Sequence, residues 1–248
     1  MARSEAAFTA VVLSCEHASN RVPAGLRSLF TRERGVLATH RGIDIGALPV
    51  ARRLARALDA PLIAADVTRL VVDLNRSLHH RALWSSFLSA LSAEEKRRLL
   101  ERYYYPYRRA VESLIDERLR GGGRVLHLSV HSFTPVLHGE VRRADLGLLY
   151  DPQRASERRV ASRLVQALAA RAESLRVRRN YPYRGNADGL TTHLRQLYPA
   201  RSYVGLEIEM NQKVVDASAG QLRMATVLAE ACGCVLGRDW CPGTAGLT

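Results

Sequence analysis

The chain is short of sulfur, of acidic residues and of long apolar runs, and each shortage narrows what it can be. Four cysteines in 248 residues (Cys15, Cys232, Cys234, Cys241) are sparse, and Cys232-Gly233-Cys234 lacks the paired two-residue spacing of a zinc ribbon. The last three read as buried or incidental thiols, since free cysteine commonly behaves as a small hydrophobe. No stretch approaches the ~20 apolar residues of a membrane span, and Met1 to Phe8 lacks the apolar core of a signal peptide. The expectation is a soluble, intracellular (cytoplasmic) protein without a membrane partner. Acids are outnumbered 24 to 37, which leaves a net charge of +13. Such a surplus invites a nucleic-acid reading, because clustered Lys and Arg neutralise phosphates. Here the basic residues, nearly all Arg, are scattered over helix faces and no nucleic-acid motif accompanies them, so the reading is a solvated basic surface with an anionic small-molecule substrate. Internal repeats and low-complexity segments are also missing.

What is present is 47% hydrophobic residues, ample for one continuous core over residues 1–248, and no second-domain signature. Val125 to His131 follows Gly121-Gly122-Gly123, a strong helix stop, and its β-branched content fits a buried central strand delivering His131 at its carboxyl end. Thr9 to Leu13 runs apolar and breaks at Ser14-Cys15-Glu16-His17, while Ser202 to Met210 carries Glu207 and Glu209 among apolar residues. These three read as strands of one sheet that meet at one site, with the chemistry at its carboxyl edge. Shorter strands are expected at Leu62 to Ala65, Leu146 to Tyr150 and Leu175 to Val177. Helices are expected at Ala24 to Phe30, Leu48 to Leu58, Glu157 to Arg171, Gly189 to Tyr198 and Gln221 to Ala231. A capping box, Ser92-Ala93-Glu94-Glu95, opens another that reads on toward Arg120 and is kinked or split by Pro106. Tyr103-Tyr104-Tyr105 within it reads as packing rather than a base-stacking platform. From Gly233 the tail reads as irregular. Strands alternating with helices predict an α/β fold with a mainly parallel or mixed central sheet.

Two constellations carry chemistry. His17, Asn20 and Asp44 lie early, His131 in the middle, and Glu207 and Glu209 late. Neutral imidazoles with one carboxylate, leaving a position for water, are what a catalytic zinc requires. The second is Arg69 with Asp73-Leu74-Asn75-Arg76. Arg76 can grip a carboxylate bidentately, Asn75 offers a neutral donor, and Asp73 can orient the arginine from behind.

Ser14-Cys-Glu-His17-Ala-Ser-Asn20, Asp44-Ile-Gly-Ala47, Arg69-Leu-Val-Val-Asp73-Leu-Asn-Arg76, Val130-His131-Ser-Phe-Thr-Pro135, Asn180-Tyr-Pro-Tyr-Arg-Gly185 and Gly205-Leu-Glu207-Ile-Glu209 occur in that order. Together they resemble the N-formylglutamate amidohydrolase family. The resemblance implies a three-layer α/β/α fold of the zinc-exopeptidase (phosphorylase/hydrolase-like) kind, akin to zinc carboxypeptidases and aspartoacylase. It implies His17 and His131 as ligands of one zinc ion, Asn75 and Arg76 as a carboxylate clamp, and Glu207 as the base. The carboxypeptidase pattern His-x-x-Glu would place an acid at position 20, where this chain has Asn20. That departure makes Asp44 the candidate third ligand, with Glu16 second. Glu209 shares the strand face of Glu207, so either can hold the base role, and Glu207 is favoured. Arg69 is the candidate for oxyanion stabilisation, and Tyr183 and Arg184 join the substrate-binding set. The implied reaction is removal of a small acyl group, formyl by resemblance, from the nitrogen of an acidic amino acid. Its rivals are a deacylase or carboxypeptidase of another N-acyl amino acid or peptide, a nucleic-acid-binding protein, and a degenerate relative that binds without turnover.

Overall fold

A computed structural model describes residues 7–237. Its elements run β1 (Ala10–Cys15), a stretch of 3-10 turns (Ala24–Ala38), α1 (Ala47–Leu58), β2 (Leu62–Ala64), α2 (Ala93–Leu99), α3 (Tyr105–Leu119), β3 (Val125–Phe133), β4 (Val136–Leu137), β5 (Glu140–Val141), β6 (Leu146–Leu149), α4 (Ala155–Arg171), β7 (Val177–Arg179), α5 (Leu190–Leu197), β8 (Tyr203–Asn211), α6 (Gln212–Val215) and α7 (Ser218–Leu236).

Six strands form one sheet in the order β2-β1-β3-β8-β6-β7. The first four are mutually parallel, β6 runs antiparallel to β8, and β7 is parallel to β6, so the sheet is mixed. β3 and β8 are buried at all nine positions of each, which is why their sequences read as nearly continuous apolar runs. Helices α1, α4 and α7 pack together on one face, and α3 meets α5 on the other through Glu112–His193 and Asp116–Tyr198. This is an α/β fold with helices flanking a central sheet.

The capping box forms as expected, Ser92 accepting from the Glu95 amide while the Glu95 carboxylate accepts from the Ser92 amide. The long helix is interrupted one turn before Pro106, by a π-helical turn at Leu100–Tyr104 that relieves the carbonyl the proline cannot satisfy. Tyr103 and Tyr104 are buried, so they pack. Two expectations are corrected. The early helix is not a regular α-helix but 3-10 turns extending to Ala38 and kinked at Glu33. The last helix continues past Gly233 to Leu236, because Ala231, Cys232 and Val235 still bury against the core. Cys241 lies outside the described residues. No described helix is long and apolar enough to cross a membrane.

Candidate metal and substrate site

Strand alternation builds the site. On β3, Ser129 and His131 share a face; their partners on β8 are Glu207 and Glu209, so four polar side chains line one side of the sheet. β1 ends at Cys15, and Glu16 and His17 continue past it. Asp44 arrives on the polar loop before α1, where Gly46 holds φ +80 and approaches Val215 so closely that a Cβ would sit 2.3 Å from the Val215 carbonyl oxygen. Only glycine fits that turn.

His17, Asp44 and His131 are all buried and converge, one ligand atom from each lying within 4.8 Å of the others. Asp44 Oδ2 is 3.3 Å from His17 Nδ1 and 2.9 Å from His131 Nδ1. The opposite edge of each ring meets a second carboxylate: His17 Nε2 lies 2.8 Å from Asp73 Oδ1, and His131 Nε2 lies 2.8 Å from Glu16 Oε2. Glu16 is itself held by the hydroxyls of Ser129 (2.6 Å) and Tyr107 (2.9 Å). A carboxylate behind each imidazole fixes ring orientation and raises basicity, as is usual around metal-ligating histidines.

The electrostatics of the cluster follow from burial set against opposite charge. Burial alone would raise the Asp44 carboxyl, but the charge and hydrogen bonds of His17 and His131 outweigh it and hold the group well below the usual carboxylate range. Glu16 is likewise lowered, its burial outweighed mainly by His131, and so is Asp73, chiefly by Arg69 and His17. Burial works against charge on His131 too, yet the hydrogen bonds it donates to Asp44 and Glu16, and their negative charge, raise it well above an ordinary histidine. Three ionised carboxylates therefore surround two imidazoles and Arg69. The donor set, two Nδ1 atoms and one carboxylate oxygen, fits zinc.

A cavity of about 170 Å³ opens beside this cluster and is lined by His17, Asp44, Arg69, Asn75, Arg76, His131, Tyr183, Arg184, Glu207 and Glu209, among others. All nine proposed site residues, with Glu209, thus face one space. Asn20 is exposed and does not line it. Asn75 Oδ1 accepts from the Leu190 amide at 2.7 Å, which leaves its Nδ2 on the cavity side, 3.5 Å from His131 Nε2. Arg76 donates one Nη1 bond to the Asp188 carbonyl at 3.0 Å. Asp73 differs from expectation: it pairs with Arg69 at 2.8 Å and with His17 rather than backing Arg76 by a hydrogen bond. Arg69 also reaches Asp44 at 3.4 Å.

The two late glutamates differ. Glu207 accepts a short hydrogen bond from the Thr191 hydroxyl. Glu209 has a buried Oε2 with no partner among the described residues, and burial pushes its carboxyl up to about 8. The loop carrying Tyr183 and Arg184 is tied to β6 by Asn180, whose Oδ1 accepts from the Tyr150 and Gly185 amides. Sequence reading passed over Ser129, Thr191 and Asp188. Ser129 was findable, being two residues from His131 on the same strand face; Thr191 and Asp188 reach the site only through tertiary contact.

Comparison with known proteins bears on this geometry. A family model described as N-formylglutamate amidohydrolase matches residues 9–215. The chain is 32% identical to Atu2144, a gene product of Agrobacterium tumefaciens, and superposes on its crystal structure with a TM-score of 0.81, covering 93% of this chain and 92% of that one. A crystal structure of N-formylglutamate amidohydrolase from Ralstonia eutropha JMP134 is 20% identical, with a TM-score of 0.69 over 95% of this chain and 93% of that one, and shares the fold. No curated protein matches the chain.

Proposed function

The chain belongs to the N-formylglutamate amidohydrolase family, and from that membership and the geometry of the cavity we propose a zinc-dependent amidohydrolase that cleaves the amide of an N-acyl acidic amino acid such as N-formylglutamate. The observation that carries the proposal is the buried His17, Asp44 and His131 cluster opening onto a cavity whose walls include Asn75, Arg76 and Arg184.

His17 Nδ1, Asp44 Oδ2 and His131 Nδ1 would hold one zinc ion. When bound, such an ion lowers the pKa of water toward ~7 and polarises an amide carbonyl. Asp73 and Glu16 keep the two imidazoles turned toward Asp44. Glu207 takes the proton from the attacking water and passes it to the leaving nitrogen. Thr191 fixes the orientation of that carboxylate. Arg69, held by Asp44 and Asp73, presents its guanidinium to the oxygen that becomes negative in the tetrahedral intermediate. Asn75 Nδ2 and the free edge of Arg76 receive the substrate's α-carboxylate, and Arg184 with Tyr183 closes over the amino-acid part.

The experiment is metal content of the purified protein read beside formate release from N-formyl-L-glutamate. About one zinc per chain and chelator-sensitive formate release are expected. Stoichiometric zinc in the His17→Ala, His131→Ala double variant would remove the metal assignment, and chelator-insensitive turnover would remove metal dependence.

A further inference from the structure

The cavity beside the histidine cluster adjoins a second depression of about 300 Å³. The two share Asp44, Arg69, Ser132 and Tyr183 as a common wall. Beyond that wall the first runs to Asn75 and Arg76, and the second runs to His40, Arg41, Phe133 and Leu137. Hydrolysis of a formyl amide leaves the second space unused, because a formyl carbon carries only a hydrogen past the scissile carbonyl.

The walls of the second depression have a definite chemistry. Its apolar surface comes from Leu70, Phe133 and Leu137. Its charge is positive. Behind the wall, the buried Arg142, which does not itself line the depression, stacks its guanidinium over the rings of Phe133 (5.9 Å) and Tyr183 (5.2 Å), donates to the Tyr183 hydroxyl at 3.2 Å, and has no carboxylate partner among the described residues. Arg41 is exposed at the rim and likewise has no ion pair there among the described residues. Burial and then the charges of Arg41, Arg142 and Arg69 push the His40 imidazole below its ordinary range. Of the two guanidiniums that line the depression, Arg41 and Arg69, only Arg69 is neutralised by carboxylates among the described residues. A cationic rim over an apolar wall suits a short methylene stem ending in an anion.

The geometry points to a substrate whose acyl group extends past the scissile carbonyl into this second space and ends in a carboxylate, an N-(carboxyacyl) amino acid of the N-succinyl type, read by Arg41 at the rim, with the charge of Arg142 behind the Phe133 and Tyr183 wall in support. The inference rests on the amidohydrolase reading above and specifies its acyl side. In it, the amide carbonyl lies at the shared wall, the amino acid reaches Asn75 and Arg76, and the acyl stem passes Phe133 and Leu137. Water adds to the amide carbonyl and the carbon–nitrogen bond breaks, giving the free amino acid and a dicarboxylic acid, with no other reactant.

The test compares kcat/KM of the metal-loaded enzyme for N-formyl-, N-pentanoyl- and N-succinyl-L-glutamate, the pentanoyl chain having the length of succinyl without its charge. Succinyl is expected to exceed pentanoyl by about tenfold or more, the lower end of what a charged hydrogen bond supplies. Arg41→Ala should lower the succinyl value about tenfold more than the formyl value, by the same contribution. Leu137→Trp, which fills the depression, should lower both longer substrates more than formyl. Formyl turnover with succinyl no better than pentanoyl overturns the inference, as does an equal loss on all three substrates in Arg41→Ala; both results leave the amidohydrolase reading standing. Turnover of none of the three overturns that reading, and this inference with it.

Discussion

Glu207 and Glu209 stand two residues apart on β8 and face one cavity, yet their surroundings assign them different work. Glu207 is oriented by Thr191, as a base must be. Glu207→Gln should retain zinc and fold while losing about 10²-fold or more in kcat, the scale of general acid–base catalysis; a loss confined to Glu209→Gln would reverse the assignment. Glu209 has another expected signature. Its native carboxyl titrates at about 8 against an ordinary 4.5 because it is buried, so the folded metal-free protein holds a proton that the unfolded chain releases. A raised native value gives stability present below 4.5 and lost as pH rises through 8, by on the order of 5 kcal/mol across that window. Urea unfolding of the metal-free protein at pH 5 and pH 8.5 should show this decline, and Glu209→Gln should reduce it, leaving the part that His131 contributes. An equal decline in the variant would place the effect elsewhere. Arg76 has one Nη1 bond to the Asp188 carbonyl and lines the cavity. Arg76→Ala should weaken kcat/KM for an N-acyl glutamate by roughly 10- to 150-fold and much less for its α-amide, with Arg76→Lys recovering part of the loss. Equal losses on both substrates would make Arg76 structural.

The loop from Asn180 to Gly185 lies so close to β6 that the strand has no room for a side chain there. A Cβ on Gly147 would sit 1.8 Å from the Tyr181 carbonyl oxygen and 3.3 Å from the Glu209 Cβ. Gly147→Ala should therefore shift the loop and the β6–β8 pairing together, destabilising the fold by about 1–3 kcal/mol as overpacking does. Thermal unfolding and substrate KM measured side by side would show both effects, and a variant with unchanged melting and KM would mean the loop does not depend on this contact. Elements of this kind explain what sequence could supply. The nine-residue strands β3 and β8 were legible because burial on both faces writes an unbroken apolar run, and their place in one sheet with β1 followed from the polar residues in all three. The hairpin of β4 and β5 was not, since two-residue strands with exposed Val136 and Val141 carry no periodicity. β7 lies at Val177–Arg179, two residues past its expected start, because Arg178 and Arg179 are drawn into pairing by β6 and not by hydrophobicity. Among site residues, His17 and His131 were visible as polar breaks at strand ends. The work of Asp73 was read wrongly, because its nearest arginine in sequence, Arg76, is not the one it binds across space.

At the scale of the molecule, one cation should reinforce links the chain already makes among these segments, in which β1 pairs with β3 and the Asp44 loop hydrogen-bonds to both His17 and Ser132. His17 follows β1, Asp44 precedes α1 and His131 lies near the end of β3, so a metal there joins three elements and stabilises the folded state alone; at a thousandfold excess over Kd this amounts to about 4 kcal/mol. The pH dependence of that effect has a definite sign. Without metal, His131 is raised by Asp44 and Glu16 although burial opposes it, so its stabilising proton is fully present below the ordinary histidine value and lost as pH rises through the raised native value. A metal requires the neutral imidazole and must displace that proton, so apparent affinity should increase with pH, by about tenfold per unit for one proton released. The melting temperature of the zinc-loaded protein should thus exceed that of the chelator-treated protein by a margin that widens from pH 6 to pH 8. Titration of metal-free protein with zinc in buffers of different ionisation enthalpy should report the released proton directly. A margin that is constant or narrows over this range, with no proton released, would mean that the three side chains form a buried ion-pair network sufficient in itself.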